Sequence, residues 1–325
     1  MLSGKDLILA TKPFAKEDPY RSRREVLVTL LLMGLEFTAI ASTSVRVFQF
    51  LLAILIGLTI VRMFVLYHDY LHKSILANQN WANWLFAIFG CAILVPPSIW
   101  RRSHDHHHSH NSKLYSSGIG SFPIVTYDRF RRASRRERVV YLFIRHPLTI
   151  LFGYLFVFIY GMCIRSLVNN PKRHWDSAIA LIFHAVIGWS FFAYGGWWLL
   201  LFAWLIPNVI ACAFGAYLFY AQHNFPSATF AERNGWTYIG AALQSSSYMK
   251  MNKIMRWFTC NIGYHHIHHL NARIPFYRLP EVFSTFAELQ QPKMTSLHPK
   301  DIISCLRLKV YDPNLNRMIT KEEMV

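Results

Sequence analysis

The chain has 325 residues, 53% hydrophobic, 16% aromatic and only 16% charged; a soluble globular domain carries about 25% charged residues, so this composition argues against an ordinary soluble enzyme. The formal net charge of +17 admits nucleic acid, anionic lipid or an acidic partner, and apolar runs of bilayer length favour the last two. Five cysteines (Cys91, Cys163, Cys212, Cys260, Cys305) lie far apart, mostly inside apolar runs, which argues against a disulfide framework and a CxxC metal site.

In chain order, residues 1–25 mix both charge signs and lack a long apolar h-region, so they read as a solvated cytoplasmic entry segment rather than a cleaved signal peptide. Two apolar runs follow, Val26 to about Thr43 carrying Glu36, and Val47 to about Tyr67 carrying Arg62. Each approaches the roughly 20 residues that cross a bilayer as a helix. A shorter run, Trp81 to Val95, ends at Pro96-Pro97; a double proline stops a helix, which predicts a re-entrant or interfacial segment. Seven arginines between Tyr127 and His146 place that short loop in the cytoplasm, and Arg21, Arg23 and Arg24 place the N-terminus there too.

Beyond the loop, Pro147–Ile164 has no charge, and Ser177–Tyr220 has no Asp, Glu, Lys or Arg and has room for two spans. If all of them cross, the C-terminal third lands outside, away from the earlier histidines. One segment after Arg145 therefore fails to cross if the histidines meet, and Ser177–Tyr194 is the candidate. The remainder, Asn224–Val325, is less apolar and reads as a cytoplasmic cap. The expected fold is an all-α integral membrane protein. It has about four transmembrane helices, re-entrant or interfacial helices, and a cytoplasmic cap with a histidine-rich dimetal site. Its expected parts are a cytoplasmic segment 1–25, a membrane-embedded domain 26–282 and a cytoplasmic segment 283–325.

Histidines gather where apolar segments stop. His68 and His72 stand four residues apart, which sets both on one helix face. His104, His107 and His108 repeat an i, i+3, i+4 spacing, and so do His265, His268 and His269; His223 closes the last apolar run. Adjacent histidines diverge by roughly 100° on a helix, so neighbours in a box address different metals. Imidazole suits zinc, copper, iron and nickel. Nine histidines exceed one zinc site but suit two ions of four or five ligands each. Two irons that activate dioxygen make the best use of such a site beside hydrocarbon. Asp69 and Asp105 inside the boxes are placed to orient ring N–H groups, and Asn111 and Asn224 flank boxes as polar supports. His106, His110 and His266 fall between the favoured spacings, and His146, His174, His184 and His298 lie outside the boxes. Glu36, a carboxylate within a span, reads either as functional or as a helix-packing contact.

The motifs HDYLH, HDHHH and HHIHH, in this order and with these spacers, resemble the three histidine boxes of membrane fatty acid desaturases. GYHHIHHLNARIPFYRLPE and FYAQHNF resemble the acyl-lipid, omega-6-like branch, and the resemblance covers roughly Tyr67 to Val282. It implies an enzyme that sets a cis double bond into a lipid acyl chain, with two iron ions (Fe2+/Fe3+), dioxygen as co-substrate and two electrons from a redox partner. It assigns the metal to His68, His72, His104, His107, His108, His223, His265, His268 and His269. The second box, HDHHHSH, also allows a register through His106 or His110.

No HPGG motif and no cysteine set for an iron–sulfur cluster is present, so the electrons are expected from a separate ferredoxin, cytochrome b5 or similar donor. The run Arg129–Arg138 suits an acidic donor or anionic headgroups. Partners are thus lipid, membrane and donor, with no nucleic acid. The site is expected on the cytoplasmic side of a cell membrane, or of the endoplasmic reticulum in a eukaryote. A lipid or carotenoid hydroxylase or ketolase on the same scaffold is the alternative. A histidine-rich metal transporter is a second, although transporters place polar groups near the bilayer midplane rather than at span ends.

Overall fold

An apolar segment in lipid can satisfy its backbone N–H and C=O groups only within itself, and helices do this. The computed structural model describes residues 2, 4–114, 120–231 and 235–324 and is about 68% helical. Among the described residues, the helices Pro19–Ser42, Arg46–Leu71 and Asp176–Ala221 are long and apolar enough to cross a membrane. The helices Asn80–Ala92 and Pro97–His110 meet at 93° across a short break, the geometry of a broken span or a re-entrant loop. The double proline marks that break. The run expected at Pro147–Ile164 is subdivided into Pro147–Leu151, a π-helical Tyr154–Ile164 and Arg165–Asn169. The run from Asp176 is also not one rod. Gly195 and Gly196 leave helical geometry, Gly196 at φ 68°, a conformation glycine adopts without a Cβ clash. Trp204 then packs back on His184 and Phe191, so two apolar limbs form.

The chain forms two compact units, one of residues 17–102 and 151–216, the other of 1–16, 103–150 and 217–325. In the first, apolar helices are tied by few polar contacts. Arg62, buried, donates to Glu25 at 2.5 Å and to the Thr29 hydroxyl at 3.0 Å. Thr59 donates to Glu36 at 2.8 Å. These bonds join Pro19–Ser42 to Arg46–Leu71, so the charges read within the spans serve helix packing. His184 donates from Nδ1 to the Ala92 carbonyl at 2.7 Å and accepts the Tyr154 hydroxyl on Nε2 at 2.6 Å. It thereby satisfies a carbonyl that the helix end releases.

Among the described residues, the second unit carries the second and third histidine boxes, His223 and two short sheets. One is parallel, Tyr248–Lys250 with Met294–Ser296; the other is antiparallel, Leu308–Asp312 with Arg317–Thr320. These strands have three to five residues, too short to show period-2 alternation in the sequence. The N-terminal segment, expected as a solvated entry, is mostly exposed but docks in part. Gly4–Thr11 is a helix with Leu7 and Thr11 buried. Asn271 donates to the Thr11 hydroxyl at 3.1 Å and Arg278 to the Pro13 carbonyl at 3.2 Å.

Candidate metal centre

Three local structures aim imidazoles inward in the second unit. The helix Pro97–His110 presents His104, His107 and His108, all buried. The short helix His265–Leu270 is buried along its whole length. His223 lies just past the Ile206–Ala221 helix, and its Nδ1 donates to the Ser245 carbonyl at 3.0 Å. That bond fixes the ring with Nε2 turned toward its histidine neighbours.

The imidazoles sort into groups as the helical periodicity requires. In one, Nε2 of His223 stands 3.1 Å from Nε2 of His107 and 2.8 Å from Nε2 of His265, which stands 3.1 Å from Nε2 of His269. The ring atoms that these four residues offer lie within 4.8 Å of one another. In the other, Nε2 of His108 is 3.1 Å from that of His104 and 3.2 Å from that of His268. Neighbours His107 and His108 join different groups, as do His268 and His269. His68 and His72 belong to the other compact unit. They end the Arg46–Leu71 helix with their rings edge to face at 4.6 Å, and Nδ1 of His68 is 3.2 Å from an Asp69 carboxylate oxygen.

This arrangement fits a metal cation. Nitrogen lone pairs repel at such distances unless a proton or cation stands between them. Ligands about 2.1 Å from one ion and at right angles are roughly 3 Å apart. Burial favours the neutral, lone-pair form of an imidazole, the form that ligation requires. His223 is pushed down to about 4 by burial, and His269 well below its usual value by burial and by His108, His265, His223 and His107 around it. His107, His223, His265 and His269 form a donor set without thiolate or carboxylate, which suits iron, copper, zinc or nickel.

The remaining candidates take other roles. His106 and His110 stack on each other at 4.0 Å and join neither group. His266 donates to the Leu289 carbonyl at 3.3 Å and is pushed down to about 4 by burial. His174 bonds to the Ser98 hydroxyl, His146 accepts from the Leu148 N–H and His298 caps the Pro299–Arg307 helix. Asp105 is on the exposed side of its helix. Asn111 donates to the Ser246 hydroxyl at 2.9 Å, and Asn224 to the Cys305 carbonyl at 2.8 Å; both brace the backbone that carries histidines. One residue that sequence reasoning passed over is Arg145, fully buried and hydrogen-bonded to Asn224. It lines a small pocket with His107, His223, Asn111 and Tyr220.

The fatty acid desaturase family model matches residues 46–298. A fatty acid desaturase of Bacillus subtilis (strain 168) is 27% identical over 97% of this chain and 90% of its own length. An sn-1 oleoyl-lipid 12-desaturase of Anabaena variabilis is 26% identical over 87% of this chain and 81% of its own. An sn-1 acyl-lipid omega-3 desaturase (ferredoxin) of Nostoc sp. (strain 36) is 24% identical, with 85% and 79% covered.

Proposed function

The chain belongs to the fatty acid desaturase family and is a membrane desaturase; from that premise we propose that it places a cis double bond in the acyl chain of a membrane lipid. The single observation that carries the reading is the pair of imidazole groups, gathered at 2.8–3.2 Å without carboxylate or thiolate in the four-histidine group.

In this proposal His107, His223, His265 and His269 hold one iron, and His104, His108 and His268 bind the second. His68 and His72 are further ligands, on their box motif and their shared helix face. Asp69 orients the His68 ring, as outer carboxylates do for metal-bound imidazoles. When bound, the irons supply the oxidising centre for dioxygen. The reaction converts –CH2–CH2–, O2, two electrons and two protons into –CH=CH– and two waters. The protein's part is to fix the rings and to keep water from the site, a role that the burial of His104, His107, His108, His223, His265, His268 and His269 supports.

The acyl-lipid substrate class rests on the likeness to the Anabaena variabilis protein. A separate ferredoxin-type donor rests on the likeness to the Nostoc protein. The arginine-rich loop supports a cytoplasmic site, and 26–282 is the proposed membrane-embedded part, flanked by 1–25 and 283–325. Gas chromatography–mass spectrometry of lipids from host cells expressing the chain, beside His268→Ala at equal abundance, tests the reading. A new unsaturated species absent from the variant is expected; an oxygenated lipid would move the assignment to a hydroxylase.

A further inference from the structure

The helix Arg135–Ile144 has one side fixed to the protein. Ser134 and Glu137 form a reciprocal capping box at its start. Tyr141 is buried with Val310 and Ile319, and its hydroxyl donates to the Lys309 carbonyl at 2.6 Å. Steps of roughly 100° per residue then direct Val139 and Phe143 to the opposite side and Val140 to the flank beside them, where the three are 59%, 50% and 50% exposed. Leu148, 54% exposed, extends this apolar row to where the chain enters the uncharged stretch 147–164. On the same helix stand Arg135, Arg136 and Arg138, and on the preceding helix Tyr127–Arg132 stand Arg129, Arg131 and Arg132, all exposed. The acids among them are Asp128 and Glu137, and Glu137 is held by Ser134.

We infer that this helix lies in the headgroup layer of the bilayer, its outer valines and Phe143 at the acyl boundary and its arginines on anionic phospholipid headgroups. Arginine suits that position because its aliphatic stem covers apolar surface while the guanidinium reaches phosphate. An acidic electron donor matches the charge but not the apolar row. A donor that comes and goes leaves valine and phenylalanine in water between visits, whereas a bilayer covers them continuously. The run of chain into an apolar segment also places lipid next to this helix.

The test uses the full-length protein with Val140→Cys carrying a polarity-sensitive fluorophore, in nanodiscs of phosphatidylcholine alone or with phosphatidylglycerol. The native cysteines are buried or half-buried, which directs the label to position 140. A blue-shifted emission is expected with phosphatidylglycerol and is reduced by high salt. In the background Arg135→Gln, Arg136→Gln, Arg138→Gln, the shift should need several-fold more anionic lipid. Water-like emission in both compositions would overturn the inference, and so would an equal shift in both. A shift produced only by an acidic ferredoxin would also overturn it and give the face to the donor.

Discussion

Arg145 donates to the side-chain oxygen of Asn224, the residue that directly follows His223. The same end of the guanidinium reaches the Tyr220 hydroxyl at 3.2 Å and the Leu308 carbonyl at 3.5 Å, and the other end reaches the Pro123 carbonyl at 2.8 Å. The acceptors are all neutral oxygens, and the side chain is fully buried. A cation in this setting is held by fixed dipoles alone, so it fastens three chain segments around the end of the helix that leads to His223.

Arg145→Met should therefore leave several buried acceptors without donors, at about 1–3 kcal/mol each, and destabilise the protein by about 3 kcal/mol or more. Iron content per chain should fall with it, because Asn224 loses the contact that holds the backbone beside His223. Arg145→Lys, which keeps the charge but not the fork, should lie between the two. Thermal unfolding in detergent, with metal analysis of the folded fraction, checks both effects.

Two buried histidines with similar downward shifts should separate cleanly. His223 meets His107 and His265 through Nε2, whereas His266 spends Nε2 on the Leu289 carbonyl. His223→Ala should lower bound iron to about half while the chain stays folded. His266→Gln, whose amide can still donate to Leu289, should keep full iron and lose at most about 1 kcal/mol of stability. Iron loss in the second variant would make His266 a ligand and shift the register of the third box.

The difference between these histidines was legible in the spacing. Residues i, i+3 and i+4 share a helix face, and the 100° step sends His107 and His108, or His268 and His269, to different groups. The apolar runs were legible as helices because lipid forces backbone groups to pair within a segment. Arg145 was not legible. It stands in a loop of seven arginines that look alike in sequence, and its acceptors Tyr220, Asn224 and Leu308 lie 75, 79 and 163 residues away. Asn111 and Asn224 were read as polar supports because they adjoin boxes; their side chains donate to the Ser246 hydroxyl and the Cys305 carbonyl. Thr11 and Pro13 accept hydrogen bonds from Asn271 and Arg278, 260 and 265 residues distant, which a local reading of charge does not contain.

Lys309 gives the protein an alkaline signature. Its ammonium donates to the Arg145 and Leu306 carbonyls, yet burial, and then the charge of Arg145, push its pKa down to about 8. Its folded value is below its unfolded one of about 10.4, so between those values the unfolded chain holds more protons. Stability should therefore rise as pH increases from about 8 to 10, by on the order of 2 kcal/mol after allowance for solvent screening. Lys309→Met should abolish that rise. Chemical unfolding at a series of pH values measures it.

The helix that carries the second box is held at its start by a distant carboxylate. Asp176 accepts from the Ser98 N–H at 2.9 Å and from the Ser98 hydroxyl at 2.6 Å, meeting the orphan donors and positive dipole end of the helix. Asp176→Ala should cost about 1–2 kcal/mol. Asp176→Asn, which keeps an acceptor, should recover most of it. Hydrogen exchange at Ser98 and the following amides should rise in the alanine variant alone.

Helix packing in the apolar unit sets the last prediction, because glycines there differ in what surrounds them. A Cβ on Gly57 would stand 2.9 Å from the Ile210 side chain and 3.0 Å from the Pro207 carbonyl oxygen. The isoleucine Cγ2 can rotate, but its Cβ, also at 3.0 Å, and the carbonyl belong to a helix that must move as a whole. Close approach of this kind is what small residues provide between membrane helices. Gly57→Ala should thus destabilise by about 1–3 kcal/mol through overpacking. At Gly34 the added Cβ meets nothing within 4 Å, so Gly34→Ala should stabilise its helix by up to about 1 kcal/mol. Melting temperatures of the two variants should move in opposite directions; a shared direction would mean that backbone propensity, not the contact at Pro207, governs both sites.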